Sequence, residues 1–351
     1  MMRVAVVGTV GIPACYGGFE SLVENLTAQQ QSDVQYIVFC SKKSYKEQLD
    51  TYNDAELIYL PLCANGSQSV PYDILSLIKC WTMKPDVVLI LGVSGCLFLP
   101  MFRLFSSAKV VTNIDGLEWK RDKWGKWAKK FLKWSEFFAV KFSDVVITDN
   151  QAIGDYVKSE YDTISSTIAY GGDHALRENV YFGDVEESYA LGLCRIEPEN
   201  NVAMILEAFS QSTSKIKFVG NWNYSEFGRV LREKYSVFPN IELYDPIYDL
   251  DELYKLRRGC SLYLHGHSAG GTNPSLVEMM HFSVPIFAYD CVFNRYSTDN
   301  LAHYFSSTKD LLTLISDTSL ISKNKNAESM KYIAKNRYTW REISRMYISN
   351  F

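Results

Sequence analysis

Short β-branched and apolar runs alternate with helix-like segments along the whole chain, and no other feature restricts its fold as strongly. In the first half the runs are Val4 to Val7, Gln35 to Cys40, Leu57 to Leu60, Val87 to Leu91, Val110 to Asn113 and Val145 to Thr148. The second half repeats the rhythm at Tyr189 to Leu193, Ile216 to Val219, Ile241 to Tyr244, Leu262 to His265 and Pro285 to Ala288. Strands separated by helices pair in parallel through helical crossovers, so the expected class is α/β with two doubly wound, Rossmann-like halves. The 351 residues suffice for two separate cores. Gly171, Gly172, Gly183 and several charges interrupt the apolar pattern between 170 and 187. We therefore expect domains at 1–175 and 176–328, then a helical tail at 329–351 whose apolar residues, among them Ile333, Trp340 and Ile343, suit packing back onto the first domain. A ligand is expected between the domains, at the carboxyl ends of the strands.

A net charge of -4 argues against general affinity for nucleic acid, while leaving room for a local basic patch. The eight cysteines are scattered with no CxxC pair, which suits reduced, buried thiols in a cytosolic protein. The N-terminal MMRVAVVGTVGIPA reads as a strand rather than a signal peptide. The longest apolar run, Val87 to Phe102, is too short for a bilayer span and is broken by Gly92, Ser94, Gly95 and Pro100, so no transmembrane helix is expected.

The stretch AGGTNPSLVEMMHF, Ala269 to Phe282, follows an apolar run and carries its own apolar residues at helical spacing. Asn273 suits an N-cap and Pro274 the first helical position. Gly270, Gly271 and Thr272 let another molecule approach the backbone, and the free N–H groups at the helix start, those of Thr272, Asn273 and Ser275, favour an anion such as phosphate. Glu278 stands where it would accept hydrogen bonds from a sugar hydroxyl beside that phosphate. An ordinary strand-to-helix turn with a solvated Glu is the competing reading.

Five other stretches bear chemistry. TVGIPACYGGFE after the first strand lacks the GxGxxG spacing of a dinucleotide fingerprint, and Gly17 and Gly18 instead suit a phosphate or sugar contact, or a structural turn. TNIDGLEWKR places Asp115 and Glu118 at a strand's carboxyl end, where either acid would orient or deprotonate an attacking hydroxyl; a turn residue and a surface ion pair are the alternatives. In WKRDKWGKWAKKFLKWSEFF, Trp124, Trp127, Phe131, Trp134 and Phe138 share one helical face flanked by Lys123, Lys126, Lys129, Lys130 and Lys133. Such a helix suits a membrane surface, or a core-facing helix with solvated lysines. CRIEPENN puts Arg195 where it would meet a phosphate at a strand end, a surface or salt-bridge arginine being the alternative. GNWNY and IYDLD, with Asn221 and Tyr248, end later strands and suit a nucleobase; Asp249 and Asp251 imitate a metal motif but precede a helix, where capping is expected. His265 and His267 lack a third metal ligand at suitable spacing, so no metal is expected.

Taken together, GIPACYGGFE, NIDGLEWKR, YGGD at Tyr170 to Asp173, CRIEPENN, GNWN and GGTNPSLVE resemble GT-B glycosyltransferases of family 4. More narrowly they resemble the rhamnosyltransferase-like group that builds bacterial capsular and cell-wall polysaccharides. The resemblance implies a GT-B fold, two Rossmann-like domains facing each other across a cleft, and retaining transfer from a nucleotide diphosphate sugar without cofactor or metal. The leaving diphosphate would take the acceptor proton, so no enzymic nucleophile is required. Glu278 matches the second glutamate of the family's paired-glutamate motif, which holds the nucleotide ribose, whereas the first falls at Gly270. Arg195 matches the diphosphate-binding Arg, but its partner Lys is Asn200 here. Asp115 falls near a family active-site histidine. The implied donor is dTDP-L-rhamnose and the acceptor a lipid-pyrophosphate-linked saccharide, at the inner face of the plasma membrane, with Trp124, Trp127, Lys130 and Trp134 on the membrane or acceptor side. A UDP- or GDP-sugar donor, an epimerase on the same scaffold and a non-catalytic membrane-associated subunit are the alternatives.

Overall fold

The computed structural model describes residues 1–15, 17–29, 33–120, 125–178, 180–181 and 188–351. The chain divides into two units: Met1–Ala169 with Trp340–Phe351, and Tyr170–Thr339.

In the first unit the chain runs β1 (Met2–Val7), α1 (Gly17–Ala28), β2 (Val34–Ser41), β3 (Thr51–Tyr52), β4 (Ala55–Leu60), α2 (Ser69–Met83), β5 (Val87–Leu91), α3 (Leu99–Phe105), β6 (Lys109–Asn113), α4 (Lys126–Phe142), β7 (Val145–Thr148), α5 (Gln151–Tyr161) and β8 (Ser166–Thr167). The strands form one sheet in the order β3-β4-β2-β1-β5-β6-β7-β8, parallel except for the β3–β4 hairpin. Val4 to Val7 and all of β5 are buried, as strands covered by helices on both faces must be. Strand β1 pairs with β2 on one side and β5 on the other, so the crossovers leave it in opposite directions and the loops after β1 and β5 diverge. Gly8, at φ +91°, lies where a Cβ would come within 2.1 Å of Leu91 O, so no other residue lets the chain pass this close to the end of β5.

A closing helix, Trp340–Ser349, completes this unit. Tyr347 accepts a hydrogen bond from Asn113 Nδ2 (2.8 Å), and Asn350 Nδ2 reaches Ser166 Oγ (3.3 Å). The tail expected to start at 329 therefore divides at Trp340. Residues 329 to 337 are the second half of an unbroken helix whose Met330, Ile333 and Ala334 are buried in the second unit.

The rotation of α4 is set by Glu136, which is buried. Its Oε1 accepts from Tyr156 and Tyr161 (2.5 Å each) and its Oε2 from Trp119 Nε1 (3.0 Å). Lys133 Nζ sits over the rings of Trp119, Tyr156 and Tyr161 and pairs with Glu160 at 2.9 Å. Lys133, expected among the solvated lysines, is thus boxed in by aromatic rings. The buried polar face turns Phe131 and Phe138 partly inward and leaves Trp127, Trp134 and Phe137 outward at 85, 58 and 47% exposure. The exposed aromatic face is therefore shifted from the one the spacing alone suggests, and Trp124 lies outside the described residues.

The second unit contains β9 (Ala190–Leu193), α6 (Val202–Ser210), β10 (Ile216–Val219), α7 (Glu226–Tyr235), β11 (Ile241–Tyr244), α8 (Leu250–Gly259), β12 (Leu262–His265), α9 (Pro274–Met280), β13 (Ile286–Tyr289), α10 (Val292–Ser297), β14 (His303–Phe305), α11 (Thr308–Asp317) and α12 (Leu320–Arg337). Its sheet is parallel throughout, in the order β11-β10-β9-β12-β13-β14. The core joins Phe209, Phe218, Trp222 and Phe287. Strand order again reverses at the first strand, between β9 and β12.

Glu136→Ala removes the shared acceptor of three half-buried donors, and we expect it to cost about 3 kcal/mol. Urea denaturation followed by near-UV circular dichroism, which reports the three aromatic partners, checks this.

Candidate functional site

The loops after β9 and β12 meet at the reversal point of the second sheet, and a dense set of hydrogen bonds holds them together. Ser268 donates from N (3.0 Å) and Oγ (2.7 Å) to Glu199 O, and Asn201 Nδ2 donates to Gly266 O (2.8 Å). A Cβ on Gly266 would lie 2.1 Å from Asn200 O, so the two backbones touch. Asn200 is buried; its Nδ2 donates to Arg195 O (2.7 Å) and its Oδ1 meets His267 Nδ1 at 2.6 Å. The Arg195 side chain is exposed, with Glu197 at 3.8 Å.

Beyond this stitch the chain enters α9 as the residue types predict. Asn273 is the N-cap, its side chain accepting from Ser275 N (3.0 Å), and Pro274 is the first helical residue. Ser275 Oγ also bonds Asn273 Oδ1 (2.8 Å), and Tyr263 donates to it at 3.0 Å. The Ser275 N–H, expected to face the donor, is thus spent on the cap. Gly270 takes φ +100°, Gly271 is half-buried, and Thr272 is buried beside Ser297 Oγ (3.5 Å).

Glu278 is one turn further on. Arg257 Nη2 of α8 bonds its Oε2, and His174 Nε2 stands 3.3 Å from its Oε1. Gly172 permits this approach, because a Cβ there would fall 2.7 Å from Glu278 N. Burial pushes the Glu278 carboxyl up, but the Arg257 guanidinium and His174 outweigh it and hold the group below the usual carboxylate range. The result is an ionised acceptor of hydrogen bonds, largely withdrawn from water. Neither Arg257 nor His174 was singled out in the sequence. An arginine in a charged amphipathic helix carries no mark of burial, and His174 merely follows YGGD.

Asn221 and Tyr248 are exposed after β10 and β11. The neighbouring Trp222 belongs to the core, its Nε1 donating to Tyr244 O (2.9 Å). Asp249 caps α8 by accepting from the N–H groups of Asp251 and Glu252 (2.9 Å each). Among the described residues, no group of three His, Cys, Asp or Glu could hold a metal ion.

In the first unit, Gly17 and Gly18 open α1, and Glu20 in its first turn folds back to accept from Val10 N (2.8 Å) and Thr9 Oγ1 (3.0 Å). Asp115 follows β6 in the left-handed region, φ +61°, which aspartate tolerates better than most side chains, and its N–H donates to Asn113 Oδ1 (3.0 Å). Glu118 starts a one-turn 3-10 helix, Glu118–Lys120, anchored through Trp119 on α4. A further acid, Asp73, was not anticipated: it is buried against Ser94, and burial pushes its carboxyl up to about 7. Lys130 is exposed on the same face of α4 as Trp127 and Trp134. Among the described residues no helix is long and apolar enough to cross a membrane.

Residues 1–173 match the family described as a domain of unknown function, DUF1972. No curated protein matches the chain. Solved structures do share its fold along nearly the whole length. Sucrose-phosphate synthase from Thermosynechococcus elongatus superposes with a TM-score of 0.80 at 12% identity, over 99% of this chain and 98% of that one. HepE from Anabaena in complex with UDP gives 0.75 at 13% identity, over 99% of both chains. A glycosyltransferase from Rickettsia africae gives 0.69 at 12% identity, over 99 and 97%. The chain has the GT-B fold. Its two parallel sheets, each reversing at its first strand, are the architecture of that fold.

Because Glu278 is held below its ordinary range, its ionised form stabilises the native state at neutral pH, and that contribution is lost as pH falls from the ordinary glutamate range through the lowered value. Arg257→Ala removes its strongest counter-charge and leaves burial to push the carboxyl up, so we expect the variant, though less stable at neutral pH, to lose less of its stability than the wild type on acidification. Thermal unfolding of both proteins between pH 3 and 7 checks the direction.

Proposed function

We propose that the chain is a metal-independent, retaining glycosyltransferase whose second unit binds a nucleoside diphosphate sugar. The observation that carries this reading is the Glu278 carboxylate, kept ionised by Arg257 and His174 one turn into the helix that begins at the reversal point. Such a carboxylate accepts hydrogen bonds from ribose hydroxyls, and Arg195 at the end of β9 supplies positive charge for the diphosphate. HepE, of the same fold, was solved with UDP and with UDP-glucose, which supports a nucleotide ligand here. The motif resemblance favours dTDP-L-rhamnose as donor, in which case Glu278 meets the 3′-OH, since a 2′-OH is lacking. Asp115 and Glu118 are assigned to the acceptor, a lipid-linked saccharide of a bacterial surface polysaccharide.

A membrane-borne acceptor fits α4. This helix carries Lys126, Lys129, Lys130, Lys133 and Lys141 against the single acid Glu136 in a chain of net charge -4. Trp127, Lys130, Trp134 and Phe137 share its outward face, the composition of an interfacial helix on an anionic bilayer.

Transfer from a panel of dTDP-, UDP- and GDP-sugars to lipid-linked acceptors, read by mass spectrometry, tests the activity. Glu278→Ala should weaken nucleotide binding by roughly ten- to hundred-fold. Nucleotide binding without transfer from any donor would sink the enzymatic reading. In a separate measurement, Trp127→Ser with Trp134→Ser should release the protein from vesicles containing phosphatidylglycerol. Equal sedimentation of wild type and variant, or none of either, would remove the membrane assignment.

A further inference from the structure

This inference rests on the reading that a membrane-borne acceptor brings the first unit to a bilayer. In the strand order β4-β2-β1-β5-β6-β7, the connections from β4 to β5, β5 to β6 and β6 to β7 all run the same way across the sheet, whereas β1 to β2 runs the other way. Right-handed crossovers therefore put α2, α3 and α4 side by side on one face and α1 on the other, and α3 packs against both of its neighbours. The two faces differ in kind. Among the described residues, every exposed large apolar side chain of this unit except Met1 and Ile164 belongs to the three-helix face: Ile78 on α2, Met101, Leu104 and Phe105 on α3, and the outward aromatics of α4. Leu104 and Phe105 are 73 and 69% exposed, and the Phe105 ring stands edge-on to Trp81 of α2 at 5.5 Å. Charge divides the same way. The three helices carry Lys79, Arg103 and the five α4 lysines, and their only acids, Asp73 and Glu136, are buried. Of the acids in the adjoining loops, Asp144 is paired with Arg103 (2.5 Å) and Asp86 accepts from Arg3 N (2.7 Å). On the opposite face α1 carries Glu20 and Glu24, no base and no exposed large apolar side chain.

We propose that the whole face formed by α2, α3 and α4, rather than α4 alone, is the bilayer-contacting surface of the first unit, and that it lays the first sheet flat on an anionic membrane. An exposed apolar surface spread over three adjacent helices marks an interaction site, and its charge selects the partner. Basic side chains with no exposed acid on the same helices suit a layer of anionic headgroups. A second copy of the chain would set this basic face against itself, with like charges opposed. The bilayer plane then runs about parallel to the sheet, so the carboxyl ends of its strands open along the membrane surface. A lipid-linked saccharide reaches them by moving in the plane of the headgroups while its lipid stays in the bilayer.

Sedimentation with phosphatidylglycerol vesicles tests this through Met101→Ser combined with Leu104→Ser, an exposed pair on α3 that leaves α4 intact. The variant should partition roughly ten- to thirty-fold more weakly than the wild type. Hydrogen exchange of the vesicle-bound wild type, read by mass spectrometry, should slow in α2, α3 and α4 and stay unchanged in α1. If the α3 variant binds as tightly as the wild type while Trp127→Ser with Trp134→Ser releases the protein, the three-helix surface is overturned and α4 remains the sole contact. Protection confined to α4 has the same meaning. If the wild type sediments with neither anionic nor neutral vesicles, the membrane reading and this extension fall together. Light scattering without lipid covers the other occupant: a dimer that Met101→Ser with Leu104→Ser converts to monomer assigns the face to a second copy and overturns the proposal.

Discussion

Parallel pairing of the first strand on both of its edges is the constraint from which each unit follows. A strand flanked by β2 and β5, or by β10 and β12, sends its crossovers to opposite sides, and right-handed connection then dictates which face each helix covers. The loops leaving β1 and β5 lead to helices on opposite faces of the sheet, as do those leaving β9 and β12, and at the second reversal the two loops bond each other, Ser268 to Glu199 O and Asn201 Nδ2 to Gly266 O. Glycine is needed where one of these loops must still touch a neighbouring backbone. Gly8 passes against Leu91, and Gly266 against Asn200.

Ionisable groups withdrawn from water at these positions are paired through residues from other elements. Glu278 is held by Arg257 from α8 and by His174 from the segment that opens the second unit. Glu136 gathers Trp119, Tyr156 and Tyr161. A carboxylate taken out of water is costly unless its lone pairs are satisfied, so each such acid organises several elements around itself. In the first case the outcome is an oriented, ionised carboxylate. In the second it is a rigid mount for the Asp115 to Trp119 segment and a defined outward face on α4.

Much of the fold was legible because its signals are local. Val4 to Val7 and Val87 to Leu91 announce buried parallel strands by continuous apolar composition, and Asn273-Pro274 announces a helix start by cap chemistry confined to adjacent residues. Helical spacing on α4 was read correctly as amphipathic but with the wrong rotation, because one of its buried side chains, Glu136, is an acid that looks exposed in the sequence. The tail divided at Trp340 rather than near 329 because one helix continues across 329 with Met330 and Ile333 buried.

The sequence by itself determined the class of the chain, the rhythm of its strands and helices, the turn that begins α9 and the positions of Arg195 and Glu278 beside strand ends, because each depends on residues close together along the chain. Only the tertiary structure decided that Arg257 and His174 hold Glu278, that Asn200 meets His267 Nδ1, and that Lys133 lies within an aromatic box. Those partners are 21, 104, 67, and 14 to 28 residues apart in sequence, as the numbering shows. At such separations no local pattern distinguishes a buried charge from a solvated one. Burial and pairing arise only when distant elements pack, and that packing turns a set of ordinary polar residues into a charged site with defined protonation.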